Sequence, residues 1–173
     1  AIASGGADAF YTGAIAADIA TAISSAEGNP GLMTLADLAS YRAKIRPAVC
    51  GGYRGYSVCG MGPPSSGGLT VAMMLGLLEK FDLEALGPNS AAAIHLFAEA
   101  GRLAYADRNQ YMADADFVDV PSSALLDRSY LKNRSGLIER GRSMGKATPG
   151  NPGQSQSLNG SSAGSFEGYS TTH

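Results

Sequence analysis

Few side chains in this sequence are equipped for catalysis or ligation, and they are widely spaced. The only imidazoles are His95 and His173, and the only thiols are Cys50 and Cys59. Two cysteines are too few for a structural zinc site or a disulfide scaffold. His95 falls beside an apolar helical stripe, where a lone histidine is ordinarily a packed or surface group. The run Ser65-Ser66-Gly67-Gly68 precedes a predicted helix. Its backbone amides suit an anion or carboxylate, and a tight strand-to-helix turn that needs glycine accounts for it as well. Tyr105-Ala106-Asp107-Arg108 sets a carboxylate beside a guanidinium. Adjacent helical residues do not face each other, so each is expected to pair with another segment in a structural ion pair. Thr171-Thr172-His173, taken alone, reads as a frayed tail.

The elements that must position these groups follow from periodicity. From Tyr11 to Glu27 the residues Ile15, Ile19, Ala22, Ile23 and Ala26 recur at helical spacing, and Gly28-Asn29-Pro30-Gly31 stops the run. Thr34 with Asp37 three positions on predicts a capped helix from Leu35 to about Tyr41. Ile45 to Met61 carries Val, Tyr and Cys around glycines and predicts a β-hairpin with Arg54-Gly55 as its loop. That register pairs Tyr53 with Tyr56, Gly52 with Ser57, Gly51 with Val58 and Cys50 with Cys59. The cysteine pair falls at a non-hydrogen-bonded position, where α-carbons about 4.5 Å apart lie at the short end of the range a disulfide tolerates. Both a bridge and two reduced, buried thiols remain open.

Leu69 to Phe81 is apolar at nearly every position before Glu79 and predicts a helix buried on most sides. From Ser90 to about Met112, Ile94, Phe97, Ala98, Gly101, Ala104 and Tyr105 predict an amphipathic helix against it, with Glu99 and Arg102 on the opposite, solvent face. Shorter helices are expected over Ser122–Leu126 and Ser129–Ile138. Between Gly141 and Ser170, Gly and Ser supply 14 of 30 positions, so this stretch reads as a mobile linker.

Composition narrows the function classes. The chain has 173 residues and a formal charge of −2, with 45% apolar residues. It lacks the basic footprint of a nucleic-acid or membrane-surface binder. The longest apolar run, Val71 to Leu78, is far short of the roughly 18–20 residues of a bilayer span. The first residues, Ala1-Ile2-Ala3-Ser4-Gly5-Gly6, show no Met and no signal-peptide pattern, and the sequence reads as an internal part of a longer protein.

The order of segments resembles the gamma-glutamyltranspeptidase family. The resemblance is carried by Ala9-Phe10-Tyr11-Thr12-Gly13-Ala14-Ile15-Ala16, Leu32 to Tyr41, Tyr53-Arg54-Gly55-Tyr56 and Pro63-Pro64-Ser65-Ser66-Gly67-Gly68. Ala104-Tyr105-Ala106-Asp107-Arg108 and Thr171-Thr172-His173 complete it. It runs from about Asp8 to Ile138 and resumes at the last three residues.

The resemblance implies an α+β fold, a portion of the αββα sandwich of N-terminal-nucleophile hydrolases, here mainly helical with a β-hairpin. It implies a precursor that cuts itself into a large and a small subunit, with the small subunit beginning at Thr171. Residues 1–140 would then be large-subunit core, 141–170 a Gly/Ser-rich flexible linker and 171–173 the start of the small subunit. Thr171 is the one implied catalytic residue; no metal or organic cofactor is implied. The partners would be the small subunit, glutathione and other gamma-glutamyl compounds, and amino acid or peptide acceptors, in a periplasmic or secreted setting. The missing small subunit would hold most substrate contacts, so residues 1–173 alone are expected to be inactive and to expose apolar helix surface. The rival readings are a related cephalosporin (glutaryl-type) acylase and a noncatalytic scaffold of the same fold.

Overall fold

The computed structural model describes residues 1–153, which divide into two compact units, residues 1–45 and the remainder from Arg46. Thr171, Thr172 and His173 lie outside the described residues.

The first unit is helical: α1 (Ile2–Gly5), α2 (Asp8–Tyr11), α3 (Ala14–Ser24) and α4 (Leu35–Ser40). The helix expected from Tyr11 begins instead at Ala14, because Gly13 is extended at its N-cap and the Thr12 hydroxyl closes α2 by donating to the Asp8 carbonyl at 2.9 Å. Ile15, Ile19 and Ile23 share the less exposed side of α3 around buried Ala16, whereas Ala22 and Ala26 are exposed. At α4 the Thr34 hydroxyl accepts from the Asp37 N–H at 3.3 Å, and the Asp37 carboxylate accepts from the Thr34 N–H at 2.8 Å. This reciprocal cap satisfies two amide donors that a helix start otherwise leaves unpaired. The rings of Tyr11 and Tyr41 stack with centroids 5.5 Å apart.

The second unit opens with the hairpin of β1 (Val49–Tyr53) and β2 (Tyr56–Gly60), in the register expected from its two-residue loop. Arg54 and Gly55 have φ of 48° and 84°, the left-handed pair that a tight hairpin turn requires and that glycine adopts freely. Cys50 and Cys59 are joined in a disulfide. They project on the exposed face of the hairpin, so the alternative of buried thiols does not hold. Alternation decides this, because Val49, Gly51, Tyr53 and Val58 take the sheltered face.

Helix α5 (Gly67–Leu78) runs under that sheltered face and forms the centre of the core. Leu69, Met73, Leu77 and Leu78 are buried on it, and only Val71 among its large apolar side chains is about half exposed, at 49%. Each such buried side chain stabilises the fold by roughly 1.5–3 kcal/mol. The tip of the hairpin is latched to the end of α5, since the Arg54 N–H donates to the Glu79 carboxylate and its guanidinium to the Phe81 carbonyl at 2.8 Å. A short α6 (Leu83–Leu86), long α7 (Ala91–Tyr111), α8 (Ser122–Leu125) and α9 (Arg128–Ser135) complete the described elements.

The orientation of α7 differs from the sequence expectation. Ile94, Phe97 and Tyr105 are 57%, 61% and 56% exposed, while Leu96, Ala100, Leu103 and Ala104 enter the core together with Glu99 and Asp107. The helix carries two apolar stripes, and the one that turns inward is the one bearing the carboxylates. The predicted inward stripe was therefore wrong for Ile94, Phe97, Ala98 and Tyr105, as was the outward placement of Glu99. The exposed stripe does meet the expectation of apolar helix surface in this chain.

Candidate functional site

Two motifs singled out in the sequence meet at the start of α5. The end of β2 crosses the helix start backbone to backbone: a Cβ added at Gly68 would lie 2.6 Å from the Met61 carbonyl oxygen and 2.7 Å from the Gly60 carbonyl carbon. Only glycine permits this approach. The chain reaches it through a cis Pro63–Pro64 bond. Ser66 is the N-cap of α5, but its hydroxyl makes no capping bond to the helix. It accepts instead from Arg108 Nε at 3.2 Å, and Arg108 also donates to Asn109 Oδ1 at 3.0 Å. A cavity of about 280 Å³ opens beside this contact, lined by Pro64, Ser66, Arg108, Asn109, Met112 and Asp114. The tight-turn reading of Ser65-Gly68 thus has a structural cause.

Of the adjacent pair on α7, Asp107 forms the expected ion pair with another segment, and Arg108 forms none among the described residues. Asp107, 2% exposed, lies 2.9 Å from the Arg134 guanidinium and also accepts from the Tyr130 hydroxyl at 2.8 Å and the Gly150 N–H at 2.7 Å. Burial, followed by the bond to Asp107, pushes the Tyr130 phenol well above its ordinary range, so it remains a donor. Burial likewise raises Tyr111, whose hydroxyl donates to the Gly150 carbonyl at 2.6 Å.

Two helical turns earlier, Glu99 is 1% exposed. Its carboxylate accepts from the Ser143 hydroxyl at 2.7 Å and the Met144 N–H at 2.8 Å, and Arg102 Nε lies 3.2 Å away. Burial acts to raise its pKa, but the bonds from Met144 and Ser143 and the Arg102 charge outweigh that and hold it below the usual carboxylate value. Arg102 and Arg134 further donate to the carbonyls of Gly145 and Thr148. Residues 143–150, which composition assigned to the start of a linker, are therefore strapped along α7 by polar anchors, with Met144 and Ala147 packed against the core.

The remaining candidates have structural roles. His95 Nε2 lies 2.8 Å from the Glu139 carbonyl, a surface contact between α7 and the segment after α9. No cluster of three or more His, Cys, Asp or Glu side chains suited to a metal ion is present among the described residues. No helix among them is long and apolar enough to cross a membrane. Glu99, Tyr130 and Arg134 were not anticipated. The signal that could have found them is the spacing of Glu99 and Asp107 on the same side of α7 as Leu96, Ala100 and Leu103.

Comparison with known proteins gives this arrangement a context. The profile of the family described as Gamma-glutamyltranspeptidase matches residues 1–173. The chain is 41% identical over 172 residues to the glutathione hydrolase proenzyme of Escherichia coli (strain K12), covering 99% of this chain and 28% of that protein. It is 43% identical over 138 residues to the acylase ACY 1 proenzyme of Pseudomonas sp. (strain SE83), covering 80% of this chain and 24% of that one. Among solved structures, Helicobacter pylori gamma-glutamyltranspeptidase superposes with a TM-score of 0.72 at 42% identity, over 93% of this chain and 45% of that chain. The chain thus spans about a quarter of the length of these curated relatives, and its fold is a portion of the α+β N-terminal-nucleophile hydrolase architecture. With the family profile matched from the first residue to the last, the chain belongs to the gamma-glutamyltranspeptidase family.

Proposed function

We propose that this chain is the later part of the large subunit, together with the first three residues of the small subunit, of a self-processing gamma-glutamyl transferase and glutathione hydrolase. The observation that carries the reading is the family match across the whole chain, Thr171-Thr172-His173 included, with a relative named as a proenzyme. Residues 1–140 form the large-subunit core portion, 141–170 the connection to the cleavage point and 171–173 the start of the catalytic subunit.

In the precursor the Thr171 hydroxyl oxygen attacks the Ser170 carbonyl carbon. The amide C–N bond breaks, an ester forms, and the proton passes to the freed amine. Water then hydrolyses the ester, leaving Ser170 as a carboxylate and Thr171 with a free hydroxyl and a free α-amino group. An α-amine, with an ordinary pKa of about 8, serves as base to its own hydroxyl near neutral pH. That hydroxyl attacks the gamma-glutamyl carbonyl of a donor such as glutathione, expels the donor's amine and forms a gamma-glutamyl ester. Water resolves the ester in hydrolysis; the amine of an amino acid or peptide resolves it in transpeptidation. The surface disulfide Cys50–Cys59 supports a periplasmic or secreted setting, where such bonds persist.

The test is electrophoresis of the full-length protein beside its Thr171→Ala variant, followed by assay with a gamma-glutamyl amide. Two fragments from the wild type, one beginning at Thr171, are expected, with a single uncut band from the variant. One uncut band from both favours a noncatalytic scaffold. The likeness to acylase ACY 1 supports a second reading, cleavage of a glutaryl-type cephalosporin amide by the same nucleophile. Turnover of that amide, without turnover of the gamma-glutamyl one, selects it.

A further inference from the structure

The bridge across the hairpin is placed for exchange chemistry. Cys50 and Cys59 are both exposed, and neither belongs to the core cluster. A small thiol in solution can reach such a bridge, and accessible bridges are the labile ones. The hairpin is also held without it: Val49, Gly51 and Val58 take the sheltered face over α5, and Arg54 latches the tip to Glu79 and Phe81. Opening of the bridge therefore leaves the two sulfurs side by side and able to close again.

The two sulfurs have different neighbours. Ser57 stands two positions before Cys59 on the same face of β2, and its Oγ lies 3.8 Å from Cys59 Sγ. A bridged sulfur carries no proton, so the hydroxyl is the donor. It stabilises the negative charge that gathers on Cys59 as the S–S bond breaks, which makes Cys59 the better leaving group. Cys50 has no such donor among the described residues. Two positions further along its strand, Gly52 has no side chain, and the place its Cβ would take is 3.9 Å from Arg128 Nη2. Two residues of a strand span about 7 Å and point to one face, so this guanidinium lies on the order of 10 Å from Cys50, close to the Debye length at about 0.1 M salt. Arg128 is exposed and makes no hydrogen bond or ion pair among the described residues. Beside it, a cavity of about 370 Å³ between the hairpin and α9 is bordered by Lys80 and Lys132 against one carboxylate, Glu79. Cations thus outnumber anions on the Cys50 side, and an anionic thiol is drawn to that sulfur.

We infer that Cys50–Cys59 is a thiol-exchange site for a carboxylate-bearing low-molecular-weight thiol, with Cys50 taking up the incoming sulfur and Cys59 leaving. The small thiolate attacks Cys50 Sγ. The bond between the two protein sulfurs breaks, its electron pair goes to Cys59 Sγ, and the Ser57 hydroxyl donates to the new thiolate before water protonates it. A mixed disulfide remains on Cys50. A second thiolate attacks the small-molecule sulfur of that adduct, expels Cys50 as a thiolate and forms a small-molecule disulfide. Two small thiols are then oxidised and the protein bridge is reduced by two electrons. Without a second thiol, the Cys59 thiolate attacks Cys50 Sγ, expels the small thiol and restores the bridge. No step uses Thr171, so the inference stands apart from the proposed function.

The test mixes the folded, intact parent protein with limiting mercaptoacetate, quenches with excess N-ethylmaleimide and maps the peptides by mass. Mercaptoacetate on Cys50 with the maleimide on Cys59 is expected to exceed the reverse pair at least about threefold. Ser57→Ala is expected to level that ratio and Ser57→Thr to restore it. Cysteamine, a cationic thiol, supplies the comparison for charge. The ratio of the mercaptoacetate to the cysteamine rate constant is expected to fall about threefold or more in Arg128→Gln at low salt, and the intrinsic reactivities of the two thiols cancel between the proteins. A bridge that opens only in the unfolded parent overturns the inference, as does equal or reversed labelling of the wild type. Unchanged labelling in Ser57→Ala, or an unchanged rate ratio in Arg128→Gln, overturns it as well. The same spectra score cleavage at Thr171, so a parent that fails to process itself is recognised separately.

Discussion

Asp107 Oδ1 accepts the Gly150 N–H at 2.7 Å, joining the buried face of α7 to a segment 43 residues downstream. The same oxygen lies 2.9 Å from Arg134, so a single atom ties α7, α9 and the strap together. Both ionic partners are more than nine-tenths buried. Such a pair offsets its desolvation only while every member is present.

Asp107→Ala is therefore expected to destabilise the chain by about 3–5 kcal/mol, because Arg134 is left charged and buried. Arg134 already has one nitrogen, Nε, without a partner among the described residues. The double replacement Asp107→Leu with Arg134→Met, which removes both charges, is expected to lose less than the single one. Urea denaturation of the three proteins checks this; a loss below about 1 kcal/mol for Asp107→Ala contradicts it.

Glu99 gives the strap a pH dependence of definite sign. Its pKa in the folded protein is depressed below the ordinary glutamate value of 4.5, so the stability it contributes is present above that value and is lost as pH falls through the folded pKa. Exchange at the Met144 amide, corrected for its intrinsic pH dependence, is expected to speed up as pH falls from about 4.5. Glu99→Gln removes the charge at all pH values. Losing a charge-assisted bond worth about 1.5–3 kcal/mol raises the open population roughly 10- to 100-fold at neutral pH and flattens the acid dependence.

The contrast between α4 and α7 shows what is legible in a sequence of this kind. The Thr34–Asp37 cap and the hairpin register depend on residues within a few positions of each other, and local rules specify both. The facing of α7 depends on Ser143, Met144 and Gly150, between 43 and 45 residues away. Without those partners in view, Glu99 reads as a solvent residue and pulls the assignment to the wrong stripe. Composition also hides the strap, because Gly and Ser supply backbone donors and acceptors that hydrophobic counting ignores. Thr171 is legible through resemblance alone, since nothing in its neighbours' types marks a nucleophile.

The Cys50–Cys59 bridge closes a short loop across exposed faces of two strands. In the chain-entropy account a loop of this length stabilises by about 2–3 kcal/mol. Cys50→Ala with Cys59→Ala is expected to loosen the hairpin first, since the core of α5, α7 and α9 does not include either sulfur. Faster exchange at Gly51 and Val58 with little change at Leu77 would show this; equal acceleration at all three would place the bridge in the global fold instead.

The facing of α7 itself yields a paired test. Phe97 and Leu103 are both large and apolar on one helix, and sequence periodicity alone favours Phe97 for the core. The structure leaves Phe97 61% exposed and Leu103 1% exposed. Leu103→Ala removes buried methyl groups beside Leu69, Met73 and Leu77 and is expected to destabilise by about 2–5 kcal/mol. Phe97→Ser, at a surface position of residues 1–173, is expected to change stability by no more than about 0.5 kcal/mol. Denaturant midpoints of the two variants decide between the faces, because the stripe read from periodicity demands the reverse order. An outcome with Phe97→Ser as the more damaging change would turn α7 by about a third of a revolution and expel Glu99 and Asp107 from the core. That would leave Arg134 without its counter-charge, so the stability of Arg134→Met would rise rather than fall in the same experiment.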